Sequence, residues 1–179
     1  MKDNIKIVIV NGRPGSGKTT FEECCKSILG VYCQMRSTVD KIKDIAYRAG
    51  WDGKKTPEAR KLLSDLKDLF TEFNDLPYRD IVSHIGYYQA ELANYGVFDH
   101  NALFFVDSRE PEEIERFKQT LGAKTLLIKR AAAENGDFSN HADANVNDYE
   151  YDFVIDNNGT IADLQEAAKN FIDLIFSEN

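Results

Sequence analysis

The stretch Gly12-Arg13-Pro14-Gly15-Ser16-Gly17-Lys18-Thr19 constrains this chain more than any other feature. It satisfies the spacing G-x-x-x-x-G-K-[ST] in full. Before it comes a short β-branched run, Lys6 to Val10, and after it a helical pattern made by Phe21, Cys24, Cys25, Ile28 and Leu29, with Gly30 as the stop. A strand, a glycine loop and a helix in that order let successive backbone N–H groups turn inward on a phosphate, and the helix start adds its partial positive charge. In such a loop Lys18 is a mobile point charge for the β- and γ-phosphates and the Thr19 hydroxyl is a Mg²⁺ ligand, while Thr20 carries the chain into the helix. Gly12 to Thr20 therefore form a candidate nucleotide site, with ATP and Mg²⁺ as the implied ligands.

The remaining pattern fits an α/β domain. At 179 residues the chain is long enough for one ordinary domain and short for two. Short apolar runs at Val31–Met35, Leu103–Val106, Thr125–Ile128 and Phe153–Ile155 join Lys6–Val10 as strands, and helical patterns separate them. Strands alternating with helices imply a parallel sheet covered on both faces, a three-layer α/β/α arrangement.

Two segments exceed what that arrangement needs. Residues 36–95 hold three helical patterns where one crossover would suffice. The first follows Ser37-Thr38-Val39-Asp40, with capping-box spacing, and carries Val39, Ile42, Ile45 and Ala49. The second opens on the N-cap and N1 proline of Thr56-Pro57 and carries the strongest apolar stripe in the chain: Leu62, Leu63, Leu66, Leu69, Phe70 and Phe73. The third, Tyr78 to Asn94, offers Ile81, Ile85, Tyr88 and Leu92 for burial. Residues 130–147 lack periodicity and read as a mobile loop. Glu110–Leu121 and the segment capped by Thr160 to Asp163 are the remaining helices.

Charge and cysteine usage narrow the partners. A net charge of −8 argues against general binding to nucleic acid or acidic lipid. No apolar run approaches the roughly 20 residues of a membrane span, and Ile7–Val10 is too short for the core of an export signal. Cys24, Cys25 and Cys33 lack C-x-x-C spacing and are expected as free thiols in a reducing cytoplasm. His84 and His100 have no ligand spacing around them and read as structural.

Asp107 closes the Leu103–Val106 strand, on the side of an open α/β sheet where ligands gather. A carboxylate there holds Mg²⁺ through water or caps the following helix. Arg109 either offsets charge on a transferring phosphoryl group or pairs with one of Glu110, Glu112 and Glu113. Arg130, at the mouth of the 130–147 loop, either covers the donor or is solvated.

Together the glycine loop, Asp107-Ser108-Arg109, Arg130 and the ending Tyr151-Asp152-Phe153-Val154-Ile155-Asp156-Asn157-Asn158-Gly159-Thr160 resemble the nucleoside monophosphate kinase-like P-loop family. Within it the chain is most similar to phage-type deoxynucleoside monophosphate kinases, with dephospho-coenzyme A kinase and phosphomevalonate kinase more distant. The resemblance implies a single P-loop NTPase domain over 1–179, strand order 2-3-1-4-5, a helical acceptor-binding insertion at 36–95 and a lid at 130–147. It also implies that Arg36, Asp40, Lys41 and Arg60 grip an acceptor monophosphate, that Lys18, Arg109 and Arg130 serve transfer, and that Asn157, Asn158 and Gly159 flank the donor base. The implied partners are small-molecule nucleotides, with the protein a monomer or homodimer. One departure stands out: Ala131 to Asn147 contains no Lys or Arg, and His141 is its one basic-capable residue. That composition keeps open a non-enzymatic or slowly hydrolysing nucleotide-binding module.

Overall fold

Parallel strands and their crossovers organise the chain, and the computed structural model describes residues 5–95, 100–134, 145–147 and 149–177. Strand β1 (Ile5–Asn11) leads into helix α1 (Lys18–Leu29), and β2 (Cys33–Ser37) follows a 3₁₀ turn at Gly30–Tyr32. After α2 (Asp40–Arg48), α3 (Pro57–Asn74) and α4 (Leu76–Asn94) come β3 (Ala102–Asp107), α5 (Pro111–Leu121) and β4 (Lys124–Lys129). A short α6 (Ala131–Glu134), a 3₁₀ turn at Asn145–Asn147, β5 (Phe153–Asp156) and α7 (Ile161–Ser177) complete the described elements.

The five strands form one parallel sheet in the order β2-β3-β1-β4-β5, with helices on both sides, as the strand and helix pattern and the family resemblance implied. Alternation along the strands sorts its two faces. Val8, Val10, Leu103, Phe105, Leu126 and Ile128 share a cluster with Phe21 and Cys25 of α1 and Leu164, Ala168, Phe171 and Ile172 of α7. Phe171 is its hinge point, packing edge-on against Phe21 at 5.6 Å and Phe153 at 5.4 Å. The opposite positions, Ile7, Ile9, Phe104 and Val106, are buried as well, and α5 packs on β1 and β4 with Ile114 and Phe117 inward.

Two compact units divide the chain: residues 1–35 with 97–179, and residues 36–96. The first holds the sheet core. In the second, α2, α3 and α4 pack on one another. The Thr56 hydroxyl accepts the Ala59 N–H at 3.2 Å, and Pro57 takes the first helical position, as the sequence predicts.

Several boundaries and one face differ from expectation. The second strand begins at Cys33, because Gly30–Tyr32 tightens into a 3₁₀ turn. Helix α2 starts at Asp40: the Asp40 carboxylate reaches back to the Ser37 N–H at 2.8 Å, but the Ser37 hydroxyl turns to Val39 at 3.5 Å. Its buried residues are Ile42 and Ala46, and Ala49 is exposed. The α3 stripe is not a buried face, since Leu62, Leu69 and Phe73 are 44%, 58% and 76% exposed. The 130–147 segment is not wholly irregular, as it contains α6 and the 3₁₀ turn at its two ends. Residues 135–144, with His141, lie outside the described residues.

Candidate functional site

The glycine loop starts where β1 runs out of sheet, and two glycines set its path. Gly12 has φ +151°, and a Cβ there would sit 2.5 Å from the Ile128 carbonyl oxygen of β4. Gly17 has φ +97°, and a Cβ there would collide with the Asn157 side-chain amide. Both positions combine a conformation side chains rarely adopt with a close neighbour, fixed backbone at Gly12 and the movable Asn157 amide at Gly17. Between them the Ser16 N–H bonds the Arg13 carbonyl at 3.0 Å, and the Phe21 N–H bonds the Gly17 carbonyl at 2.9 Å to open α1.

Helix α1 begins with no side-chain cap and no acidic residue in its first turn. Its leading N–H groups and partial positive charge thus face the loop, the arrangement that suits an anion. Lys18 folds back so that its ammonium donates to the Gly12 carbonyl. The Ser16 hydroxyl is buried, with no hydrogen-bond partner among the described residues. A glycine turn with an orphaned buried hydroxyl and an uncapped helix start has the chemistry that suits an anion such as a phosphate.

Register brings the second candidate group alongside. Asp107 pairs with Val10 on the neighbouring strand, so the end of β3 lies beside the first turn of the loop. The Ser108 N–H donates to the Val10 carbonyl at 3.3 Å, and the Ser108 hydroxyl bonds the Glu113 carboxylate. Arg109 follows, half-buried, with its carbonyl 3.3 Å from Asn11 Nδ2. Thr19 is exposed on the first turn of α1. A threonine hydroxyl and a carboxylate are hard oxygen donors of the kind Mg²⁺ takes.

On the other side of the loop, β4 and β5 supply the surroundings. The Asn157 N–H donates to the Lys129 carbonyl at 2.7 Å, and its side-chain amide donates to the Ser16 carbonyl at 2.8 Å. Asn157 is thus a buttress of the loop backbone. Asn158 accepts the Ala131 N–H at 2.7 Å and, with Lys129, Arg130, Ala131, Glu134, Asn147 and Asp156, borders an open hollow of about 270 Å³. Thr160 and Asp163 cap α7, the Asp163 carboxylate accepting the Thr160 N–H at 2.7 Å. Gly159 lies against that same carboxylate.

Arg13 pairs with Glu134 of α6 at 3.1 Å. That carboxylate was not singled out from the sequence, and neither was the contact between Asn11 and Tyr151, which hydrogen-bond at 2.8 Å beside the loop; Tyr151 entered only as part of the ending Tyr151–Thr160, with no role given to it. The four acceptor candidates belong to the 36–96 unit. Arg36 is exposed on β2, Lys41 is half-exposed on α2, and Arg60 is exposed on α3. Asp40 is occupied at the start of α2, accepting Ser37 N–H and pairing with Lys43 at 2.9 Å.

All three cysteines are free and buried, and burial raises their thiol pKa values, Cys33 to about 12. His84 lies 3.7 Å from Asp80, and His100 stacks on Tyr32 at 4.8 Å. No cluster of three or more metal-ligating His, Cys, Asp or Glu occurs among the described residues, and no helix there is long and apolar enough to cross a membrane.

No protein-family model matches the chain, and no curated protein matches its sequence. Solved structures do match in fold. A sugar kinase from Janibacter sp. is similar over 97% of each chain, with 17% identity and a TM-score of 0.50. Shikimate kinase from Bacteroides thetaiotaomicron matches with 14% identity and a TM-score of 0.46, over 95% of this chain and 98% of that one. For dephospho-CoA kinase from Campylobacter jejuni the identity is 18% and the TM-score 0.42, over 96% and 98%. This chain has the P-loop kinase fold.

Proposed function

We propose that this protein is an ATP- and Mg²⁺-dependent phosphotransferase that moves the γ-phosphoryl group to a small phosphorylated acceptor, a nucleoside or deoxynucleoside monophosphate. The observation that carries this reading is the glycine cradle at the head of β1 with Asp107 held in register beside it. Phosphoryl transfer asks little covalent chemistry of a protein; positioning and charge neutralisation carry it.

The loop amides and Lys18 bind the donor phosphates. Thr19 and Asp107 would hold Mg²⁺, which when bound offsets charge on the β- and γ-oxygens. Arg109 and Arg130 offer further positive charge to the transferring group, and Asn158, with Gly159 next to it in the chain, borders the hollow that would take the donor base. Arg36, Lys41 and Arg60 bind the acceptor phosphate, with Asp40 holding the start of α2 that carries Lys41. Soluble substrates reached from a cytoplasmic pool suit the acidic surface and the free thiols.

A second reading, a nucleotide-binding module without efficient transfer, is favoured by one contact. Arg13 is already paired with Glu134, and residues 131–147 supply no other cation of their own beyond His141. A coupled ADP-release screen over all ribo- and deoxynucleoside monophosphates separates the two. The phosphotransferase reading expects at least one acceptor to accelerate release, whereas the binding module expects nucleotide binding with none that does.

A further inference from the structure

The buried amide of Asn11 joins three stretches of chain that lie far apart in sequence. Asn11 is 1% exposed. Its Oδ1 accepts the Gly12 N–H at 2.7 Å, and its Nδ2 donates to the Tyr151 hydroxyl at 2.8 Å and to the Arg109 carbonyl at 3.3 Å. The Tyr151 hydroxyl donates in turn to the carbonyl of Val146, itself 1% exposed. Reversing the amide would set an N–H against the Gly12 N–H and an oxygen against the Arg109 carbonyl, so the network admits a single orientation.

A second tyrosine lies outside this junction. Tyr151 packs edge-on against Tyr149 with ring centroids 5.1 Å apart, and the Tyr149 hydroxyl donates to Glu115 of α5 at 2.8 Å. Burial pushes the Tyr151 phenol up to about 12, against a smaller lowering by the Asn11 bond. It therefore stays protonated, and a donor to Val146, throughout the neutral range.

We propose that Asn11 and Tyr151 are positioning residues for phosphoryl transfer, which lock the turn that follows Asp107 and carries Arg109 against the first peptide of the glycine loop. The inference rests on the phosphotransferase reading of the site. Tyr151 lends the amide its second donor contact, so that Asn11 cannot rotate off the Arg109 carbonyl. Without the phenol the glycine loop still cradles phosphate and Asp107 keeps its strand pairing with Val10, but Arg109 loses its register with the loop. The loss falls on the transfer step more than on donor binding.

Tyr151→Phe keeps the ring and removes only the hydroxyl. The substitution removes two neutral hydrogen bonds, from Asn11 and to Val146, and loss of the Asn11 bond is expected to lower kcat roughly three- to tenfold while leaving the ATP KM within about twofold. Tyr149→Phe, which removes the neighbouring hydroxyl outside the junction, is the control and leaves kcat unchanged. An unaltered kcat in Tyr151→Phe, or an equal fall in both variants that tracks their melting temperatures, overturns the proposal. Wild-type transfer is measured first, and its absence would remove the phosphotransferase reading without deciding the junction. Amide hydrogen exchange with ATP·Mg²⁺ bound then decides it. The junction predicts that Tyr151→Phe speeds exchange at Gly12 and across residues 106–111, and unchanged exchange at those positions overturns it.

Discussion

Gly17 concentrates the account at the scale of a residue, because its positive φ and the Asn157 amide both exclude a side chain. Gly17→Ala must either strain the backbone or push Asn157 off the Ser16 carbonyl, at a cost of roughly 1–3 kcal/mol. Thermal melts are expected to show a lower Tm and no stabilisation by ATP, and a variant with wild-type Tm and response contradicts the cradle. Glu134 makes the opposite prediction. If Arg13 binds phosphate as proposed, Glu134 competes for it, through a pair whose carboxylate side chain is 37% exposed. A pair that exposed is worth under about 1 kcal/mol, so Glu134→Gln is expected to tighten ATP binding by about two- to fivefold, read by calorimetric titration. Weaker binding would mean that Glu134 orients Arg13 for the nucleotide. The glycine loop was legible because its chemistry is local: eight consecutive residues state it. Asn11 and Tyr151 were not, since a hydrogen bond across 140 residues leaves no periodicity to read.

Between β4 and β5 the decisive element-scale link is Asp152. Its carboxylate accepts the Thr125 N–H at 2.8 Å and the Thr125 hydroxyl at 2.9 Å, and pairs with Lys118 of α5 at 3.2 Å. Burial pushes the carboxyl pKa up, but the two Thr125 bonds and Lys118 outweigh it and hold the pKa below its ordinary value. A depressed folded-state pKa means that the stabilisation is complete above the unfolded value of about 3.9 and is lost as pH falls through the folded one. Urea midpoints of wild type and Asp152→Asn should therefore differ by a constant amount from neutral pH down to about pH 4 and converge below it. A gap that persists at lower pH would assign the loss to packing and not to charge. The elements themselves were largely legible, because strand runs and caps such as Thr56 and Thr160 act locally. The α3 stripe was not: periodicity reports that a face is apolar and is silent on what covers it. Leu62, Leu69 and Phe73 keep helical spacing and remain exposed. Glu22 shows the converse, a carboxylate in a helical run that ends up buried beside Cys25 and Cys33.

Across the whole molecule, the groups proposed for donor and for acceptor belong to different compact units, and the proposal predicts separable kinetic defects. Arg36→Ala and Arg60→Ala are expected to raise the acceptor KM by roughly tenfold to hundredfold with ATP binding intact, the value of a charge-assisted phosphate contact. Arg109→Ala and Arg130→Ala should lower kcat instead, because their partner is charge that develops during transfer. Steady-state kinetics with both substrates varied checks the contrast, and a uniform rise in ATP KM across all four variants would count against it. The central claim is transfer itself. It is tested most directly by incubating the protein with ATP labelled at the γ-phosphate, Mg²⁺ and each nucleoside monophosphate in turn, and following the label. Label is expected on the diphosphate of at least one acceptor with the wild type and on none with Lys18→Ala; label that stays on ATP or leaves only as free phosphate, in a protein that ATP still stabilises, would rule out transfer.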